Sequence, residues 1–169
     1  MPSVYKQSGK LAFCLALLCA LFCPLFFPKL HLFYFTPYLV VSLYQNSRIA
    51  LLWRAFGCGL LIDLLSSGPL FGFFSLNYCL VSWLLYGQTR NFFEDKLLTL
   101  SLMTFLFSFL STAITFIFAF FFGKGYSLSF AWLISDFCVM PLADGAYALL
   151  VFSLPFRLIY TLSRMRLFR

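Results

Sequence analysis

The chain has 169 residues, of which 63% are apolar, 22% aromatic and only 10% charged, with a formal net charge of +7. A globular domain carries about a quarter charged residues, so this composition excludes a water-soluble fold of ordinary surface. The basic residues lie at the ends of apolar runs and form no basic domain, which excludes nucleic acid as a partner and makes them topology signals in a lipid bilayer.

A helix needs roughly 20 apolar residues to cross the hydrocarbon core. Apolar segments at 11–27, 30–44, 49–65, 69–86, 97–122 and 130–154 therefore predict an all-α membrane protein. The expected architecture is a compact bundle of six short transmembrane helices, forming a single integral membrane domain over 1–169. Lys6 and Lys10 precede the first run, as in a secretory signal, but no small-x-small cleavage site follows, so it is an uncleaved first span. The second and third segments are short, which predicts either a near-perpendicular path or a partly re-entrant one. Residues 155–169 form a short basic tail.

Charge placement orients the spans. With the N-terminus in the cytoplasm, Lys6, Lys10, Arg48, Arg54, Arg90, Lys96, Arg157, Arg164, Arg166 and Arg169 fall on inner ends, and only Lys29 and Lys124 fall outside. That asymmetry follows the positive-inside rule and predicts both termini in the cytoplasm.

The third span carries Arg54, Gly57, Gly59 and Asp63, followed by Gly68, Pro69 and Gly72. Gly57 and Gly59 predict close approach of a neighbouring helix. Pro69 predicts a helix start. A carboxylate near a helix C-terminus is disfavoured by the dipole, so Asp63 is expected to bond to the turn at Ser66–Gly68. In the fourth span Gly72, Ser75, Cys79, Ser82 and Tyr86 share one face, as do Ser101, Thr104, Ser108, Ser111 and Thr115 in the fifth. Such stripes predict helix–helix seams.

The last span holds Asp136 and Asp144 on either side of Pro141, which predicts a kink and two inward carboxylates. Asp144 is expected to pair with Arg54. A catalytic carboxylate dyad is the sharper alternative, but both aspartates sit on one helix eight residues apart, and no catalytic residue is assigned. Cys14, Cys19, Cys23, Cys58, Cys79 and Cys138 form no CxxC pair, and His31 is the sole histidine. The cysteines predict small apolar packing residues and His31 an interfacial or loop position, with neither metal nor cofactor.

Phe35-Thr36-Pro37-Tyr38, with an apolar run to Tyr44, and Gly57-x-Gly59-x-x-x-Asp63-Leu64 followed by Gly68 and Gly72 resemble the rod shape-determining protein MreD family. The likeness extends from Phe35 to the end, with its specific part between Phe35 and Gly72. In the last span a polar residue stands five positions before Pro141. The family often has Asn there, where this chain has Asp136, and Asp144 falls outside the pattern. The resemblance implies a non-enzymatic inner-membrane scaffold of the bacterial elongation machinery. Its implied partners are an MreC-like protein and, through it, MreB, RodA and a penicillin-binding transpeptidase. The competing class is the substrate-binding membrane subunit of a vitamin-type importer, for which Asp63, Asn77 and Asp136 could supply ligand contacts.

Overall fold

The computed structural model describes residues 9–26, 32–65, 71–88, 97–121 and 135–153, which form six helices and no strands. They are α1 (Gly9–Phe26), α2 (Thr36–Gln45), α3 (Arg48–Leu65), α4 (Phe73–Tyr86), α5 (Leu97–Phe121) and α6 (Ser135–Ser153). Two of them, Thr99–Phe118 within α5 and Ser135–Ser153, are long and apolar enough to cross a membrane. His31, Gly68, Pro69 and the tail at 155–169 lie outside the described residues.

Helices α1, α3 and α5 begin and end within two residues of the expected segments. The second and fourth helices are shorter than expected. α2 starts at Thr36, with Pro37 in its first turn, where the missing N–H costs nothing. Its ten residues give about 15 Å of helix, half of a hydrocarbon core of about 30 Å. α4 starts at Phe73 and not at Pro69. Gly72 has φ +90°, a left-handed conformation from which an α-helix cannot continue back.

Contacts along the chain make the neighbouring helices antiparallel. The Cα of Gly9 faces Gln45 closely, Arg48 lies over Trp83 and Tyr86, and Asn77 near the start of α4 bonds Ser111 late in α5. Ser101 near the start of α5 bonds Gly145 in the second half of α6. Gly9 and Ser153 therefore lie at the same end of the bundle. α3 packs most extensively on α4, and α5 on the middle of α6. α2 sits at the centre, touching α1, α3, α4 and α5.

That central position explains why Thr36 to Leu43 are all buried. Leu39, Val40 and Val41 of α2 meet a core that includes Tyr78, Met103, Phe107 and Phe152. Aromatic pairs stitch the helices, with Phe13 on Tyr38 at 5.2 Å and Tyr78 on Phe107 at 5.5 Å between ring centroids.

Polarity runs from the inside out. Asn77, Thr104, Ser108, Ser111 and Asp144 are fully buried, whereas Trp53 is 72% exposed and Phe120 77%. Every long helix presents large apolar side chains outward, among them Leu18, Leu64, Trp83 and Leu142.

The last helix departs from a plain α-helix. Wide π-helical turns at Ser135–Val139 and Ala148–Ser153 flank an α-helical stretch at Met140–Tyr147. Pro141 lies in the first turn of that stretch, so the change of hydrogen-bond register falls where its ring removes a donor.

Candidate functional site

Two buried carboxylates organise the interior, and each accepts hydrogen bonds from main chain that its own helix does not contain. Asp63 lies in the last turn of α3. Its Oδ1 accepts from Phe74 N–H at 3.1 Å, and its Oδ2 accepts from Ser75 N–H at 3.1 Å and Ser75 Oγ at 2.9 Å. The first N–H groups of any helix lack internal partners, and Gly72 at the cap position of α4 offers no side chain. Asp63 supplies the missing cap from the neighbouring helix and places its negative charge at the favourable end of the α4 dipole. Its partners among the described residues are thus in the first turn of α4; the Ser66–Gly68 turn expected from sequence lies outside those residues.

Gly59 makes that cap reachable. Four residues before Asp63, it lies on the same face of α3. A Cβ at Gly59 would stand 2.3 Å from Ser75 Cα and 2.6 Å from Ser75 N. The α3 and α4 backbones therefore touch there. Gly57 behaves differently, since a Cβ there would meet nothing within 4 Å. Among the described residues, the close approach expected at both glycines exists at Gly59 and not at Gly57.

The second carboxylate, Asp144, is nine residues from Ser135 and nine from Ser153, the midpoint of α6. Oδ1 accepts from Phe33 N–H at 2.9 Å and Oδ2 from Ser108 Oγ at 2.5 Å. Phe33 belongs to the non-helical approach to α2, so irregular main chain enters the bundle at half its depth. Tyr147, one turn on from Asp144, donates from Oη to the Tyr34 carbonyl at 3.5 Å. Non-helical backbone buried inside a bundle needs partners for its polar groups, and α6 supplies one for Phe33 N–H and one for the Tyr34 carbonyl.

Arg54 does not pair with Asp144. Its Nη1 donates to Ser42 Oγ at 3.2 Å, and Ser42 Oγ also accepts from Asn46 Nδ2 at 2.9 Å. Pairing by charge overlooks the Phe33 N–H and the Ser108 hydroxyl, which between them engage both oxygens of Asp144. Asp136 also stands apart: it is partly buried and has neither hydrogen bond nor ion pair among the described residues. Asp144 is fully buried whereas Asp136 is not, so the eight-residue spacing does not bring both carboxylates to the interior. Pro37, at the start of α2, and Pro141, in the first turn of the α-helical stretch inside α6, are both buried.

The hydroxyl stripe of α5 is a seam used on two sides. Toward α6, Ser101 Oγ donates to the Gly145 carbonyl at 2.6 Å and Ser108 donates to Asp144. Toward α4, Asn77 Nδ2 donates to Ser111 Oγ at 2.8 Å and Thr115 Oγ1 at 3.1 Å. Asn77 is the polar anchor that the stripes miss, although an amide in the middle of the apolar run Phe73–Tyr86 is itself a signal.

All six cysteines are free thiols, and no three metal-ligating side chains converge among the described residues. The carboxylates at Asp63 and Asp144 have both oxygens engaged by N–H or hydroxyl donors, an arrangement that holds helices together. No protein-family model matches the chain, and neither a curated relative nor a solved structure matches it.

Proposed function

We propose that the chain is a multi-pass protein of the bacterial cytoplasmic membrane, with six membrane-inserted helices and both termini in the cytoplasm. Its inverted polarity supports that reading, because lipid is the solvent in which exposed Trp53 and Phe120 and buried Asn77 and Asp144 are both favourable. The antiparallel alternation that brings Gly9 and Ser153 to one end agrees with the charge asymmetry of the sequence. α2 would then be a half-length inserted helix and not a full crossing.

Within that membrane we propose a non-enzymatic scaffold of the cell-elongation machinery, organising peptidoglycan synthesis with an MreC-like partner. MreB, RodA and a penicillin-binding transpeptidase would be reached through that partner. The observation that carries this reading is the joint use of Gly59, Asp63 and Gly72 to lock α3 on α4. These are residues of the segment that resembles the MreD family, and their work is helix packing. A locked hairpin with an apolar outer face, including Leu64, Leu76 and Trp83, suits a protein that presents helix surfaces to membrane partners.

Depletion of the chain in its host is expected to round the cells and disperse lateral wall insertion, read by fluorescent labelling of new peptidoglycan. Unchanged shape with loss of vitamin uptake would replace the scaffold by an importer subunit.

A further inference from the structure

The end of the bundle that holds Gly9 carries a three-residue cluster outside the packing just described. Arg48, the first residue of α3, is exposed, and its Cζ lies 5.2 Å from the Trp83 ring centroid and 5.9 Å from that of Tyr86. Trp83 and Tyr86 are three residues apart on α4 and share a face. A guanidinium over aromatic rings is held by cation–π attraction, which leaves its N–H hydrogen-bonding capacity unspent. Arg48 has no ion pair or hydrogen-bond partner among the described residues.

We propose that Arg48, backed by Trp83 and Tyr86, binds the phosphate of an anionic phospholipid. The proposal rests on the membrane reading above. At the depth of a helix end the abundant acceptors are lipid phosphates, and the planar guanidinium edge matches a phosphate in bidentate fashion. Trp83 is half exposed beside the cation, so one side chain backs the charge while its outer edge meets the acyl boundary. Arg54, one and a half turns further along α3, is turned inward to Ser42 and leaves the headgroup contact to Arg48.

The test uses the full chain carrying Trp53→Phe and Trp132→Phe, so that Trp83 alone fluoresces, in vesicles of mixed phosphatidylcholine and phosphatidylglycerol. Brominated phosphatidylglycerol should quench Trp83 as though enriched about fivefold over brominated phosphatidylcholine, the factor expected for one basic residue at an anionic surface. Arg48→Ala should reduce the two lipids to parity. Native mass spectrometry of the chain without the tryptophan changes should show retained phosphatidylglycerol that Arg48→Ala loses. Equal quenching in the parent chain, an unchanged preference in Arg48→Ala, or displacement by excess inorganic phosphate would overturn the lipid site. Quenching by neither lipid would overturn the membrane reading as well.

Discussion

Gly59→Ala is expected to separate α3 from α4 and to cost the bundle more than any other single methyl group. The added Cβ would overlap main-chain atoms of Ser75 and the Phe74 carbonyl, which stands 2.8 Å away, and backbone cannot rotate aside as a side chain can. Forced overpacking costs about 1–3 kcal/mol. The shift would also draw Asp63 away from Phe74 and Ser75, removing a helix cap worth roughly 0.5–2 kcal/mol. Gly57→Ala is the matched control, since it fills open space and gains helix propensity of up to about 1 kcal/mol. Unfolding of the purified protein in mild detergent, followed by circular dichroism, should show a large loss for Gly59→Ala and none for Gly57→Ala. Equal behaviour of the two would contradict the backbone contact.

Asp144 carries the second large effect. Asp144→Leu keeps the branching of the side chain in a larger volume and removes the cost of burying a carboxylate, but leaves Phe33 N–H with no acceptor at the middle of the bundle. An orphaned buried donor costs about 1–3 kcal/mol in a protein interior. Asp144→Asn retains a carbonyl oxygen for Phe33, while the Ser108 hydroxyl can accept from the new amide. Its loss should therefore be the smaller, roughly 1 kcal/mol. The same unfolding measurement ranks the variants, and a leucine variant as stable as the parent would remove Asp144 from its role. Reversing Arg54 and Asp144 together should not rescue either single reversal, because Ser42 and Phe33, not each other, are their partners.

Hydropathy and breakers alone locate α1, α3 and α5, because each is a continuous apolar run between breakers. They fail at α2 because Phe33, Tyr34 and Phe35 are as apolar as the helix that follows, so the break in the chain leaves no mark on hydropathy. Pro37 did hold the answer: Pro favours the first turn of a helix, which puts the start at Thr36. The fourth helix shows the opposite error, since Pro69 is an attractive start but Gly72, with φ +90°, sets the boundary.

The candidate site was legible in its residues and not in its pairings. Gly59, Asp63 and the α5 stripe stand out by type and spacing. Their partners are largely main-chain donors or distant residues, such as Phe33 N–H, 111 positions before Asp144. A main-chain N–H has no signature in sequence, whereas Arg54 is conspicuous, which is why charge matching chose the wrong partner. Ser42 was overlooked for a related reason: a hydroxyl in a span reads as a small packing residue until an arginine is found against it.

Recovery of partners tests the scaffold most directly. Affinity purification of the tagged chain from host membranes in mild detergent is expected to retain an MreC-like protein, at a yield that falls when Gly59→Ala disrupts the α3–α4 hairpin. Recovery of an energy-coupling ATPase module in its place would contradict it.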